Sequence, residues 1–222
     1  MADWHVQQGP FDIPDVPDFI PRRLKPYLFI FFVLIIQFSG GVYLAAASDM
    51  VGTKAVMQED ILMAGYASLI GMAINFAMMF RIKFRFSTRN QLLVSGMVLI
   101  AANVICAYTA SVPLLVGTCF VAGWFRMQAT FACNSTIQLW LTPVRDMAIF
   151  FCYVYIIVDS VIQLSGIATI YTAFFSQWEY MHWIMTGMLA LMMLMVMILV
   201  KPVRGPMFIP LLGIDWIGAV LW

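Results

Sequence analysis

The chain has 222 residues, 63% of them hydrophobic and only 10% charged, with a formal net charge of +1. Soluble globular domains carry about 25% charged residues, so that class is excluded, and the balanced charge offers no basic surface for nucleic acid. What remains is an all-α protein built for a bilayer.

In chain order, residues 1–26 form a stretch rich in Asp and Pro, read as an extended cytosolic arm whose Trp4, Phe11 and Phe19 touch lipid headgroups. Residues 27–200 then hold six apolar stretches, at 27–47, 61–80, 91–110, 114–133, 147–174 and 181–200. A helix of about 20 apolar residues rises about 30 Å, the thickness of the hydrocarbon core, so each is expected to span it. The first is too long for a signal-peptide core and has no small-residue cleavage site, so it reads as a span.

Ten of the twelve Lys and Arg fall on alternate breaks: Arg22, Arg23 and Lys25; Arg81, Lys83, Arg85 and Arg89; Arg145; Lys201 and Arg204. The opposite breaks hold Lys54 with Asp49, Glu59, Asp60 and Glu179. The positive-inside rule puts both ends of the six-span set in the cytoplasm of a cell (inner) membrane protein, so 201–222 reads as a cytosolic connection followed by the start of a further span. From Gly213 onward the chain looks like the start of a seventh span. A helix ending there would leave unpaired carbonyls in hydrocarbon at several kcal/mol each, so the chain is expected to be a fragment or a truncated gene product.

Cys106, Cys119, Cys133 and Cys152 show no CxxC spacing, and neither His5 nor His182 has a partner at metal-ligand spacing. No metal or other cofactor is expected. The paired acids, Ser/His sets and HExxH pattern of intramembrane hydrolases are missing, as is a glycine-rich phosphate loop, so an enzyme is not expected.

Ionisable groups deep in a span cost about 2.5–3.5 kcal/mol even on insertion scales and so require a reason. Arg126 lies in the fourth span and Asp159 in the fifth, each about 18 Å in from opposite ends, which places both near the midplane. Matched depth allows them to pair, either as a proton- or substrate-responsive switch or as a structural ion pair between helices. Gln163 shares a helix face with Asp159, and Thr130, Asn134 and Gln138 follow Arg126 at four-residue steps. This stripe fits a watery path or interhelical hydrogen bonding equally well. In the first span Gln37 is the candidate ligand, and Gly40–Gly41 allow close approach or a kink. Tyr66 and Asn75 are half a turn out of phase, so at most one of them faces the cavity.

The 81–89 break reads RIKFRFSTR, at the place where the major facilitator superfamily carries G-x-x-x-D-R-x-G-R-R/K. Arg85 and Arg89 fall on the basic positions and Phe84 on the aspartate. LLVGTCFVAG resembles L-x-x-x-R-x-x-Q-G, with Gly123 kept and Cys119 and Ala122 in place of Arg and Gln. LTPVRDMA resembles P-x-x-x-R-G-x-A, QWEYMHWI the turn before span six, and GIDWIGAVL the D-W-x-G opening of span seven in the fourteen-span drug:proton antiporter branch. DSVIQLSGIATIYTAFF departs from the antiporter motif of span five, with Gly166 alone and no proline.

The resemblance implies the N-terminal half of that fold: six helices as two inverted three-helix repeats, plus the start of a seventh. It implies a secondary active, proton-coupled efflux transporter of small molecules or drugs. Candidate substrate- or proton-coupling residues are Asp159, Arg126, Gln163, Gln138, Asn134 and Gln37. Arg81, Lys83, Arg85 and Arg89 are candidates for a cytoplasmic gating loop, although topology alone also explains them. Implied partners are the lipid bilayer, a small-molecule substrate, protons and the missing C-terminal half. The alternative is a non-transporting membrane scaffold or partner-binding subunit on the same fold.

Overall fold

A computed structural model of the chain describes residues 24–40, 42–45, 47–141 and 147–201, together with Val16 and Ile20. Most of the N-terminal arm, Arg145 and the expected seventh helix lie outside the described residues.

Every regular element among the described residues is helical. They are α1 (Lys25–Phe38), α2 (Val42–Ala45), α3 (Ala47–Lys54), α4 (Gln58–Arg85), α5 (Thr88–Tyr108), α6 (Val112–Leu141), α7 (Met147–Tyr153), α8 (Ser160–Phe175) and α9 (Glu179–Leu199). A π-helical turn, Val154–Asp159, joins α7 to α8. Five helices are long and apolar enough to cross a membrane: Gln58–Arg85, Thr88–Tyr108, Val112–Gln138, Phe150–Phe175 and Glu179–Leu199. The chain is thus an all-α, multi-pass membrane protein.

The helix ends follow local chemistry. Pro26 sits in the first turn of α1, where a missing N–H costs nothing. Glu59 and Asp60 occupy the first turn of α4 and Lys83 and Arg85 its last, each complementing the helix dipole. Ser87 caps α5 by accepting the Asn90 N–H at 3.2 Å.

The first expected span departs from one helix over 27–47. At 14 residues α1 rises only about 21 Å. It stops at Ser39–Gly40, where the Gly40 N–H turns back to the Gln37 carbonyl at 2.9 Å and Ser39 Oγ donates to the Ile36 carbonyl at 3.0 Å. A seryl hydroxyl followed by glycine satisfies the carbonyls that a continuous helix would have used.

Helix α6 is the hub, packing against α1, α4 and α5, while α9 packs on α5. Phe29, Phe32, Val33 and Ile36 of α1 meet Leu92 and Leu99 of α5, Ala129, Cys133 and Ile137 of α6, and Leu189, Met192 and Val196 of α9 in the largest apolar cluster. The tightest seam lies between α4 and α6, which run in the same direction. A Cβ added to Gly71 would overlap the Phe120 carbonyl oxygen, and one added to Gly123 would overlap the Ser68 backbone. Between apolar helices in lipid, such small-residue contact supplies the dispersion attraction that holds a pair together.

Candidate functional site around Arg126

The seam between α4 and α6 positions the most deeply placed charge. One turn past Gly123, Arg126 is only 4% exposed. Its Nη2 donates to Ser68 Oγ at 2.9 Å and lies 3.1 Å from the Met72 thioether, both on α4. Its Nε is buried with no hydrogen-bond partner. On the other side the guanidinium leans on the break in α1: a Cβ built on Gly40 would stand 3.1 Å from Nη1, 3.2 Å from the Gln37 carbonyl oxygen and 3.3 Å from Ile162 Cγ2. A side chain at position 40 would therefore crowd the arginine.

The structure brings Gln37 and Thr130 together close to Arg126. Gln37 Nε2 donates to Thr130 Oγ1 at 2.8 Å, and both residues are buried. The other amide atom, Oε1, is buried without a partner. The Thr130 hydroxyl can donate as well as accept, so the amide can turn over and offer a free N–H instead.

Asp159 does not join them. It ends the π-helical turn and is exposed on the outer side of its helix, together with Ser160 and Gln163. Among the described residues no ion pair links it to Arg126, so the expected pairing is corrected. Matched depth fixed the level of the two groups but not their direction, and it is Ile162, one turn further on, that reaches the Gly40 break. Further along α6, Asn134 is half-buried with an unpartnered, buried Oδ1, and Gln138 is half-buried.

The basic residues at the α4–α5 turn are built into helix ends. Lys83 Nζ donates to Thr88 Oγ1 at 2.6 Å and to the Ala132 carbonyl at 3.2 Å, tying α4 to α5 and α6. Arg89 Nη2 donates to the Met197 carbonyl in the last turn of α9 at 3.1 Å. Arg85 lies beside the Phe86 ring, 5.8 Å from its centroid, and Arg81 is half-buried.

Several positioning residues were not foreseen. Gln91 Nε2 faces the carbonyls of Ile82, Lys83 and Phe86 at 3.2, 3.3 and 2.7 Å, capping the C-terminus of α4, while its Oε1 accepts from Gln128 Nε2 at 3.0 Å. At the opposite end of the bundle Asn103 Nδ2 donates to the Leu99 carbonyl at 2.9 Å, which leaves its Oδ1 to accept from His182 Nδ1 at 3.1 Å. His182 Nε2 is then the acceptor facing the Tyr43 hydroxyl at 3.5 Å. Beside this chain, Lys54 Nζ donates to the Cys106 and Thr109 carbonyls at 2.8 and 2.6 Å and lies 5.1 Å from the Trp178 ring centroid. Burial of Lys54, which lies outside the spanning helices, lowers its pKa from the ordinary lysine value.

Chemically, the arrangement offers a fixed cation, an adaptable amide and a hydroxyl at one level of the bundle, with no carboxylate among the described residues closing the charge. Such a set can bind and orient, and it contains no nucleophile with a base beside it. Compared with known proteins, the chain matches no family model and no curated protein sequence.

Proposed function

We propose that the chain is the six-span N-terminal half of a secondary active transporter of the major facilitator kind, in a cell inner membrane with its N-terminus in the cytoplasm. In this reading α1 and α2 together make the first, discontinuous span, and the helices form two inverted triplets. Transport of a small molecule proceeds by alternating access around Arg126, coupled to protons, with Asp159 as the coupling carboxylate. The observation that carries the reading is the buried guanidinium, uncompensated by any described carboxylate, set against a broken helix. Intramembrane charges mark substrate and ion paths, and discontinuous helices form the binding sites of many transporters.

The test is flux in proteoliposomes holding the full-length gene product, with an imposed pH gradient and a panel of small anions, cations and neutral compounds. Gradient-driven flux that is abolished in Asp159→Asn, with unchanged insertion, supports the assignment. Undiminished flux in that variant removes Asp159 from the coupling step.

A partner-binding subunit is the second reading, and one feature favours it. Only 11% of the Phe150–Phe175 span is buried within the bundle, against 28–39% for the other four. A helix so little covered, carrying an exposed carboxylate, suits a surface that meets another membrane protein. Absence of flux for every compound in the panel would bring this reading forward.

A further inference from the structure

We propose that the site at Arg126 binds a small anion, and that the transported substrate is therefore an anion rather than the cationic drug that the family resemblance suggests. The substrate assignment rests on the transport reading; the binding site does not.

The argument starts from charge. Arg126 is protonated under all ordinary conditions, because guanidinium does not give up its proton in proteins. Its described polar partners, the Ser68 hydroxyl and the Met72 thioether, are both neutral. The nearest source of negative potential is the carbonyl end of α1, which carries about half an elementary charge. Part of that is already taken up, since the Ile36 carbonyl accepts from Ser39 Oγ and the Gln37 carbonyl from the Gly40 N–H. At least about half a positive charge is left over in a place where water is scarce, and a monoanion offsets it.

Geometry agrees with charge. Nε of Arg126 is a buried donor without a partner, and the atom left over on Gln37 belongs to an amide that can present either an oxygen or an N–H. A Cβ at position 40 would crowd Nη1, so glycine there lets the guanidinium lie against the break in α1. A planar carboxylate matches the guanidinium fork better than a spherical halide does, though both carry the charge that the site lacks. Asp159 stands outside, so it does not occupy the place of the ligand in this conformation.

The experiment measures melting temperature of the purified full-length protein in neutral detergent, at constant ionic strength in sodium HEPES, which carries no carboxylate or halide. Sodium acetate, sodium chloride and, as a cationic control, tetraphenylphosphonium are titrated in turn. Acetate, chloride or both should raise the melting temperature of the wild type saturably, and tetraphenylphosphonium should not. A response to acetate alone assigns an organic carboxylate, and a response to chloride alone an inorganic anion. Arg126→Lys keeps the charge but loses the fork and should weaken apparent anion affinity about thirtyfold, the equivalent of one charge-assisted hydrogen bond worth about 2 kcal/mol. Gln37→Leu should weaken it less, while Gly117→Ala should behave as wild type.

Equal anion responses in Arg126→Lys and wild type, or a response to the cation alone, would overturn the proposal. It stands if anions stabilise the protein through Arg126 while no compound is transported, in which case only the transport reading falls. Conversely, gradient-driven flux restricted to cations, without an anion effect, keeps the transporter and removes the anion site.

Discussion

Replacing Gly71 by alanine tests whether the α4–α6 seam holds the site together. The added methyl meets the Phe120 carbonyl oxygen, which belongs to a helix backbone and cannot swing aside as a side chain would, so α4 and α6 must part. Overpacking of this kind costs about 1–3 kcal/mol. Parting the helices also stretches the 2.9 Å bond from Arg126 to Ser68, one turn away, and a hydrogen bond from a charged group contributes about 1.5–3 kcal/mol. Alanine returns about 1 kcal/mol through its better helix propensity. The net loss is about 1.5–5 kcal/mol, and at about 2–4 °C per kcal/mol for a chain of this size the melting temperature should fall by about 10 °C. The assay is fluorescence-detected thermal melting in detergent, with Gly117→Ala and Gly187→Ala as controls, because nothing lies within 4 Å of a Cβ at either position. Those controls should melt at or slightly above the wild-type temperature. If Gly71→Ala melts with them, the close seam is not a feature of the folded protein and the placement of Ser68 beside Arg126 loses its support.

Three further outcomes follow from the geometry. Asp159→Asn should leave stability within about 0.5 kcal/mol of wild type in the same melts, since the carboxylate is exposed and has no ion pair among the described residues; a loss of about 3–5 kcal/mol would restore a buried pair with Arg126. Gln91→Leu strips the cap from the α4 carbonyls and leaves Gln128 without its partner, and should destabilise by about 1–3 kcal/mol in the same melts. Lys54 has a depressed pKa in the fold, so the folded state binds fewer protons than the unfolded one between its own pKa and the unfolded value near 10.4. Stability should therefore rise with pH through that alkaline window, and Lys54→Met should flatten the rise; an unchanged slope would refute the assignment.

Spans two to six were legible because hydropathy and length are local properties, and the helices enclose or overlap the apolar stretches read at 61–80, 91–110, 114–133, 147–174 and 181–200. Phase on a regular helix was legible too: Asn75 is buried and Tyr66 exposed, as half a turn of separation requires. The first span was not, since Gly40–Gly41 reads equally as a close approach or a break, and only the return of backbone bonds at Ser39–Gly40 decides it. Asp159 was misdirected for a related reason. Depth follows from counting residues, but direction depends on every turn being regular, and the π-helical Val154–Asp159 alters the phase just before it. Ser68 and Met72 carried no mark in the sequence, because a serine and a methionine in an apolar helix are ordinary until an arginine is found beside them.

The fusion of α4 to α6 at Gly71 and Gly123 has a mechanical consequence. Two helices touching backbone to backbone, and pinned again where Lys83 reaches the Ala132 carbonyl, behave as one stiff strut. The opposite wall is compliant, with a helix that stops at Ser39–Gly40 and another whose wide turn ends at Asp159. Rearrangement at the level of Arg126 is therefore expected to fall on residues 39–40 and 154–159 rather than on the strut, which spin-label distances across each would show.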